Sequence, residues 1–188
     1  MRISGLFGVF LLIAQRAEAA TVLTPIPLTS SEKHVETAGT GVAILLPLVA
    51  AGITIDKDDL PGLGELTLDT LATVGTAYGL KHFVREERPD HSDFQSFPSD
   101  TAALAFAPAQ FLWDRYGWEY GVPAYAAAAF VGWSRVDAKQ HHWYDVAASA
   151  GFSFISSKIF TTEFRNRRFS YSASAAPDGV SASLTYRW

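Results

Sequence analysis

Three short stretches of the chain carry residue types that can hold and attack a phosphate group. In chain order they are Lys81 with Arg88 and Pro89; Pro98 with Ser99, Asp100 and Thr101; and Ser134 and Arg135 with His141 and Asp145. A phosphoryl group in transfer spreads negative charge over its equatorial oxygens, so its catalysis depends on positioning and electrostatic stabilisation. The three stretches in this order indicate a phosphate site more strongly than any one of them does.

The cations are suited to binding an oxyanion. The guanidinium groups of Arg88 and Arg135 can bond phosphate in bidentate fashion, and Lys81 supplies a compact point charge. Pro89 ends the preceding helix and thereby fixes where Arg88 points. Free backbone N–H groups at a helix start also bind anions, and the predicted helix start here consists of Ser99, Asp100 and Thr101.

His141 and Asp145 can supply a nucleophile and its support. A neutral histidine can attack phosphorus, while a nearby carboxylate accepts from the other ring nitrogen and sets the tautomer. Plainer interpretations stay open, because His141 and His142 can be surface histidines or half of a metal site. Asp145 can simply favour a helix N-terminus, and Lys81 can belong to an ordinary basic helix end. No acidic residue at a usual motif spacing completes a metal set, so neither a metal nor a cofactor is expected.

Together the three stretches resemble the signature of the type 2 phosphatidic acid phosphatase superfamily, which includes bacterial acid phosphatases and vanadium haloperoxidases. The resemblance covers about residues 66–161, and the first and third motifs are complete. It implies a phosphohistidine intermediate on His141, supported by Asp145, and hydrolysis without a metal. The residues that it implies for holding phosphate are Lys81, Arg88, Ser99 and Arg135. Members with signals and membrane helices act on lipid phosphates and pyrophosphates at the outer face of the cytoplasmic membrane.

The middle stretch departs from the family pattern. Members read Pro-Ser-Gly-His-Thr, whereas residues 98–102 read Pro-Ser-Asp-Thr-Ala. The absent histidine would protonate the leaving oxygen, and losing a general acid costs roughly 10²–10⁴-fold in rate. The hydroxyl of Thr101 is too weak an acid to replace it, and the nearby cations keep Asp100 ionised. His91, in the loop between the first two stretches, is a candidate substitute donor.

Two functions of different class follow from these residues. The first is a metal-independent phosphatase that hydrolyses a lipid-linked or small phosphomonoester or pyrophosphate, slowed by Thr101. The second is a pseudo-phosphatase that binds phosphate groups without turnover. A haloperoxidase ranks last, because it needs vanadate on His141 and the absent histidine as well.

The predicted signal sequence, together with the family resemblance, implies a location in the bacterial cell envelope. The chain has 188 residues, which favours one domain, and its net charge of −4 argues against a nucleic-acid partner. Lacking cysteine, it has neither disulfides nor thiolate metal ligands. Arg2, an apolar run over residues 6–14 and a small-x-small site at residues 17–19 predict a secretory signal. The site is therefore expected on the periplasmic side.

Apolar periodicity predicts an all-α bundle of about five to six helices, the first over residues 41–55. Alternation over the last residues predicts a β-hairpin that caps the helices or pairs with another chain. The expected organisation is a signal peptide (1–19), an N-terminal arm (20–38), a phosphatase-like helical domain (39–165) and a C-terminal β-hairpin tail (166–188). The apolar segments barely approach the roughly 20 residues that span a bilayer. Membrane association is expected, with both a peripheral domain and a shallow integral bundle left open.

Overall fold

The computed structural model describes residues 24–164, 169–176 and 179–186, and the predicted signal sequence lies outside them. Within this part of the chain, five helices form a bundle, which confirms the predicted all-helical fold. They are α1 (Ser30–Asp56), α2 (Leu60–Lys81), α3 (Asp100–Tyr116), α4 (Trp118–Asp137) and α5 (Trp143–Phe160).

Two C-terminal segments, β1 (Phe169–Ala176) and β2 (Gly179–Tyr186), run antiparallel as extended chain. The five helices and the loops between them carry the site described below. A role for the C-terminal hairpin, predicted at residues 166–188, stays a prediction.

The helices alternate in direction, so that one end of the bundle gathers the start of α1, the end of α2, the start of α3, the end of α4 and the start of α5. We call this the site end. Contacts of Glu36 with Arg135 and of Lys81 with Asp100 join four of these helix ends. Ser149 in α5 donates to the carbonyl of Ser99 before α3 at 2.7 Å and joins the fifth. All three predicted motifs therefore lie at one end of the bundle.

Helix α1 begins at Ser30 rather than near residue 41, so residues 30–38 of the predicted arm are helical. Thr29 and Glu32 form a reciprocal capping box, with Oγ1 of Thr29 accepting from the Glu32 amide and the Glu32 carboxylate accepting from the Thr29 amide. Lys139, between α4 and α5, lies 3.0 Å from Glu32. The first turns are polar, so their helical nature does not show as apolar periodicity.

Helix α3 occupies the centre of the bundle and packs against each of the other four helices. Alanine is the commonest residue at its buried positions, which include Ala102, Ala105 and Ala109, with Phe111 and Leu112 further along. Small side chains allow neighbouring helices to approach closely. The central position of α3 places its N-terminus in the middle of the site end.

The opposite end of the bundle is held by a buried ion pair. Arg115 donates to both carboxylate oxygens of Asp59 at 2.6 Å and to Glu65 at 2.8 Å. The hydroxyl of Tyr116 and the carbonyl of Thr162 complete this cluster. It ties the start of α2 to the end of α3 and to the segment after α5.

The outer surface of the bundle is unusually apolar. Large exposed hydrophobic side chains occur on several helices, among them Leu48, Leu71, Trp118 and Ile159, each at least 62% exposed. Soluble monomers rarely expose contiguous apolar patches of this kind. Among the helices described, α1 alone is long and apolar enough to cross a membrane by length and composition.

Candidate active site

His141 lies between α4 and α5 and is 2% exposed. Its Nδ1 lies 2.7 Å from the carbonyl oxygen of Ser96. Because a carbonyl only accepts, Nδ1 must carry the proton, and the lone pair is left on Nε2. Burial lowers the pKa of His141 and the cations Lys81 and Arg88 lower it further, against the opposing effect of Asp145. The imidazole is therefore neutral at pH 7, as a nucleophile must be.

Asp145 in the first turn of α5 is fully buried behind this histidine. Its Oδ2 accepts from Oγ of Ser96 at 2.6 Å and from the amide of His142 at 2.8 Å. Burial alone would raise the pKa of Asp145, but the nearby His141 ring and the hydrogen bonds from Ser96 and the His142 amide hold it below its usual value. The carboxylate is therefore ionised and supports His141 from behind.

The orientation of His141 differs in detail from the sequence expectation. Asp145 Oδ2 lies 3.5 Å from Nδ1, whereas the Ser96 carbonyl is 0.8 Å closer. The carboxylate sits further away because it also caps α5 through the His142 amide. A backbone carbonyl thus sets the tautomer, and Asp145 adds negative charge nearby.

Ser96 is a site residue that sequence reasoning missed. It is fully buried, its carbonyl accepts from His141, and its hydroxyl donates to Asp145. It lies two residues before Pro98, outside the three motifs, in a loop where serine is ordinary. No signal in a single sequence could have separated it from neighbouring loop residues.

Lys81 ends α2 and is buried, with Nζ donating to the carbonyl of Gln95 at 2.7 Å. Nζ also lies 3.6 Å from Oδ1 of Asp100 in the first turn of α3. Burial lowers the pKa of Lys81, and Asp100 partly offsets that effect. A cavity of about 480 Å³ opens beside Lys81, with Asp93 and Gln95 in its wall.

Helix α2 ends at Lys81, so Arg88 lies in the loop after it and not, as the sequence predicted, in a helix that Pro89 ends. Arg88 is paired with a carboxylate that sequence reasoning also missed. Its Nε donates to Oδ1 of Asp93 at 2.7 Å, while its side chain stays 18% exposed. The Asp93 carboxylate also accepts from the amide of Gln95 at 2.8 Å, so it is anchored to the loop. This pair holds the guanidinium by one edge and leaves its other donors for a ligand.

Arg135 reaches the site from the last turn of α4 and is 3% exposed. Its Nη2 donates to the carbonyl of Glu36 in α1, and its Nη1 lies 3.2 Å from Oε1 of Gln140. Gly39 permits this contact, because a Cβ there would lie 1.9 Å from Oγ of Ser134. Helix α1 therefore takes part in orienting Arg135.

The start of α3 carries the departure from the family pattern. Ser99 is the N-cap, fully buried, and its Oγ accepts from the amide of Ala102 at 3.3 Å. Asp100 and Thr101 follow in the first turn, whose amides have no partner within the helix. His91 is exposed and hydrogen-bonded to Glu87 rather than to any of these residues.

One cluster of potential metal ligands adjoins the site in the described part of the chain. Ligand atoms of Glu86, His142 and Asp145 lie within 4.8 Å of one another. Glu86 accepts from the hydroxyl of Tyr144, and Asp145 from Ser96 and the His142 amide. These contacts give each carboxylate a protein partner, and the absence of a metal requirement stays a prediction.

Comparison with known proteins identifies the family of this chain. The family model of the PAP2 superfamily matches residues 63–169. The lipid A 4'-phosphatase of Helicobacter pylori (strain J99) is 29% identical over 159 residues, covering 76% of this chain and 80% of that protein. The crystal structure of Aquifex aeolicus LpxE has a similar fold, with a TM-score of 0.57 and 22% identity over 69% of this chain and 82% of that one. The chain thus belongs to the PAP2 superfamily, and its predicted enzyme class, a phosphatase, is confirmed.

Proposed function

We propose that this protein is a metal-independent phosphatase that removes a phosphate group from a membrane lipid, with His141 as the nucleophile. The observation that carries the proposal is the orientation of this ring. Its Nδ1 proton is committed to the Ser96 carbonyl at 2.7 Å, and burial keeps the ring neutral. The lone pair of Nε2 is therefore available to attack phosphorus.

In the first step, Nε2 of His141 forms a bond to phosphorus as the bond to the leaving oxygen breaks. The electron pair of that bond stays on the leaving oxygen. Lys81, Arg88 and Arg135 balance the charge on the phosphoryl oxygens, and Asp145 stabilises the imidazole as it becomes positive. In the second step, a water oxygen bonds to phosphorus as the bond to Nε2 breaks, and the electron pair of that bond returns to the ring. The water gives up one proton, which balances the proton that the leaving oxygen takes from solvent, so phosphate is released and the ring is neutral again.

Thr101 affects the first step more than the second. Without a histidine at this position, the leaving oxygen departs with little help from a general acid, which costs roughly 10²–10⁴-fold for a poor leaving group. Pyrophosphate and aryl phosphate linkages need this help least, because their leaving groups are weak bases. The proposed enzyme is accordingly faster on pyrophosphate or aryl phosphate than on alkyl phosphate.

A lipid substrate is supported by the relative and by the surface. The H. pylori relative is named for its action on lipid A, and the bundle here exposes apolar side chains such as Leu48 and Leu71. We place the bundle in or against the envelope membrane, with the site end on the periplasmic side. In that position the phosphate of a lipid headgroup meets the cations while its chains remain in the membrane.

A trapping experiment tests the mechanism. The purified protein is mixed with radiolabelled phosphorylated lipid in detergent and chelator, quenched rapidly, and examined for acid-labile phosphate on histidine. We expect the label on His141. In His141→Gln, both the label and the turnover should be lost. His82→Gln is the matched control, because His82 is an exposed histidine next to Lys81. Undiminished turnover in His141→Gln would refute the proposed nucleophile.

Thr101 also supports a second candidate, a pseudo-phosphatase that binds phosphate groups without hydrolysis. Asp100 near Lys81 and Asp93 on Arg88 already pair two of the cations internally. Both candidates predict that millimolar phosphate or vanadate raises the melting temperature, because only the folded state binds it. Arg135→Ala should abolish that shift. A shift without any turnover of lipid or aryl phosphates would favour the pseudo-phosphatase, and no shift would count against both candidates.

A further inference from the structure

An apolar groove runs along the outside of the bundle between α1 and α4. It encloses about 340 Å³. One wall is a row of α1 side chains. The other wall is formed by α4, where Glu119, Tyr120 and Pro123 line one part of the groove and two alanines line the rest. The residues that matter here are Val42, Leu45, Val49 and Ile53 from α1 and Ala124 and Ala127 from α4.

The groove arises from unequal side-chain size. Val42, Leu45, Val49 and Ile53 recur at three- and four-residue intervals and so form one face of α1. Ala127 on α4 is too small to fill the space opposite them. As a result Leu45 and Val49 remain more than half exposed, at 56% and 52%. Such a surface is costly in water and is relieved by an apolar occupant.

The groove leads directly to the phosphate-binding end. Gly39 of α1 packs on Ser134 of α4, and the Glu36 carbonyl accepts from Arg135. Val42 is three residues beyond Gly39 and Ile53 is fourteen, which corresponds to roughly 5 Å and 21 Å along the helix. The groove therefore begins one turn below the arginine and extends towards the opposite end of the bundle.

We propose that this groove seats one acyl chain of the phosphorylated lipid whose phosphate lies at Lys81, Arg88 and Arg135. This assignment rests on the proposed function and adds to it the position of the acyl chain of the substrate. The volume of about 340 Å³ lies at the lower end of ligand pockets, which range over roughly 300–1,000 Å³. That volume suits a single chain, and the groove gives it a path parallel to α1. The substrate thus lies along the α1–α4 face, rather than along α2 or α5.

A larger side chain in the groove should slow the hydrolysis of a substrate that has an acyl or alkyl chain, and it should not affect a substrate that has none. Ala127→Leu is compared with Ala126→Leu, because Ala126 is exposed on the same helix and does not line the groove. Both variants are assayed on para-nitrophenyl phosphate, which has no chain, and on hexadecyl phosphate at constant mole fraction in detergent. Ala127→Leu should lower kcat/KM for hexadecyl phosphate about tenfold, from the usual cost of overpacking, and leave para-nitrophenyl phosphate within about twofold. Ala126→Leu should change neither. Equal loss on both substrates, or no loss, would overturn the assignment.

A second measurement needs neither turnover nor a folded variant. A hexadecyl phosphate carrying a terminal diazirine is photolysed with the wild-type protein, and the labelled residues are mapped by mass spectrometry. Label on the α1–α4 groove, reduced by competing unlabelled hexadecyl phosphate, is expected. Label spread equally over Leu68 of α2 and Ile155 of α5, which are similarly exposed, would refute the assignment. Failure of the proposed function would appear separately, as absent turnover of para-nitrophenyl phosphate.

Discussion

Replacing Thr101 by histidine would restore the proton donor that the family pattern has at this position. The expected result is faster turnover, with a larger gain for alkyl than for aryl phosphates, because only the poorer leaving group depends on protonation. Thr101→Val is the matched control, since it keeps the shape of the side chain and removes the hydroxyl. It should leave both rates within about twofold if the hydroxyl takes no part in proton transfer.

The structure sets the size of the gain. A positioned general acid contributes roughly 10²–10⁴-fold. The new imidazole would stand in the first turn of α3, where Asp100 lies 3.6 Å from Nζ of Lys81, and a nearby positive charge lowers the pKa of a histidine. Each pH unit above that pKa leaves about tenfold less of the protonated form. We therefore expect an increase of about 10–10³-fold for an alkyl phosphate at pH 7, and more at pH 6. Adding Asp100→Gly removes the carboxylate beside Lys81 and should lower KM as well.

The assay compares kcat for alkyl and aryl phosphates across pH 5.5–8 in wild type, Thr101→His and Thr101→Val. His141→Ala in each background should abolish turnover and so exclude a new route. If wild type already cleaves alkyl phosphates as fast as aryl phosphates, another group supplies the proton and the reasoning is refuted. His91→Ala would then be the first variant to examine. If Thr101→His gains nothing while phosphate still binds, the pseudo-phosphatase interpretation replaces the enzyme.

Three further predictions follow from the site and the opposite end. Ser96→Ala removes one charge-assisted hydrogen bond to Asp145 and should lower kcat roughly 10–150-fold with little change in KM, measured on para-nitrophenyl phosphate. The acid limb of kcat/KM should lie below pH 6.5, because burial lowers the pKa of His141 and turnover needs its neutral form. Asp145 raises that pKa, so Asp145→Asn should move the limb to lower pH while slowing turnover; an upward shift would contradict the assignment. Arg115→Met leaves Asp59 buried without its cation and should destabilise the fold by about 3–5 kcal/mol in denaturant unfolding, whereas adding Asp59→Asn should recover part of the loss.

The helical architecture and the three motifs could be predicted from the sequence because both depend on local spacing. Apolar periodicity marks helices such as α3, and Lys81, Arg135 and His141 stand at helix ends where charged residues interrupt that pattern. The start of α1 could not be placed, because its first turns are polar and are stabilised by a capping box rather than by burial. Thr29 and Glu32 have the spacing of a capping box, but this spacing predicts a helix start only if the polar residues after Thr29 are already assumed to be helical.

The residues that support the site were not predictable, because their roles come from long-range contacts. Ser96 acts through residues 45 and 49 positions away, and the Glu36 carbonyl meets Arg135 at a separation of 99. Nothing in the sequence indicates that a given serine or backbone carbonyl makes such a contact. The role of Asp93 could not be predicted either, because a carboxylate in a loop after an arginine is usually solvated. The motifs predict the groups proposed to bind phosphate, whereas the groups that orient them are seen only in the three-dimensional structure.

The contact at Gly39 has a consequence for exchanging parts between relatives. The family match begins at residue 63, so α1 looks like a replaceable anchor when only the matched segment is considered. Yet α1 supplies the acceptor for Arg135, and a side chain larger than hydrogen at position 39 would push the two helices apart. A chimera that grafts a foreign first helix onto residues 63–169 would therefore inherit all the motif residues and still misdirect one of its arginines. A working site therefore requires helix α1 in addition to the segment that carries the three motifs.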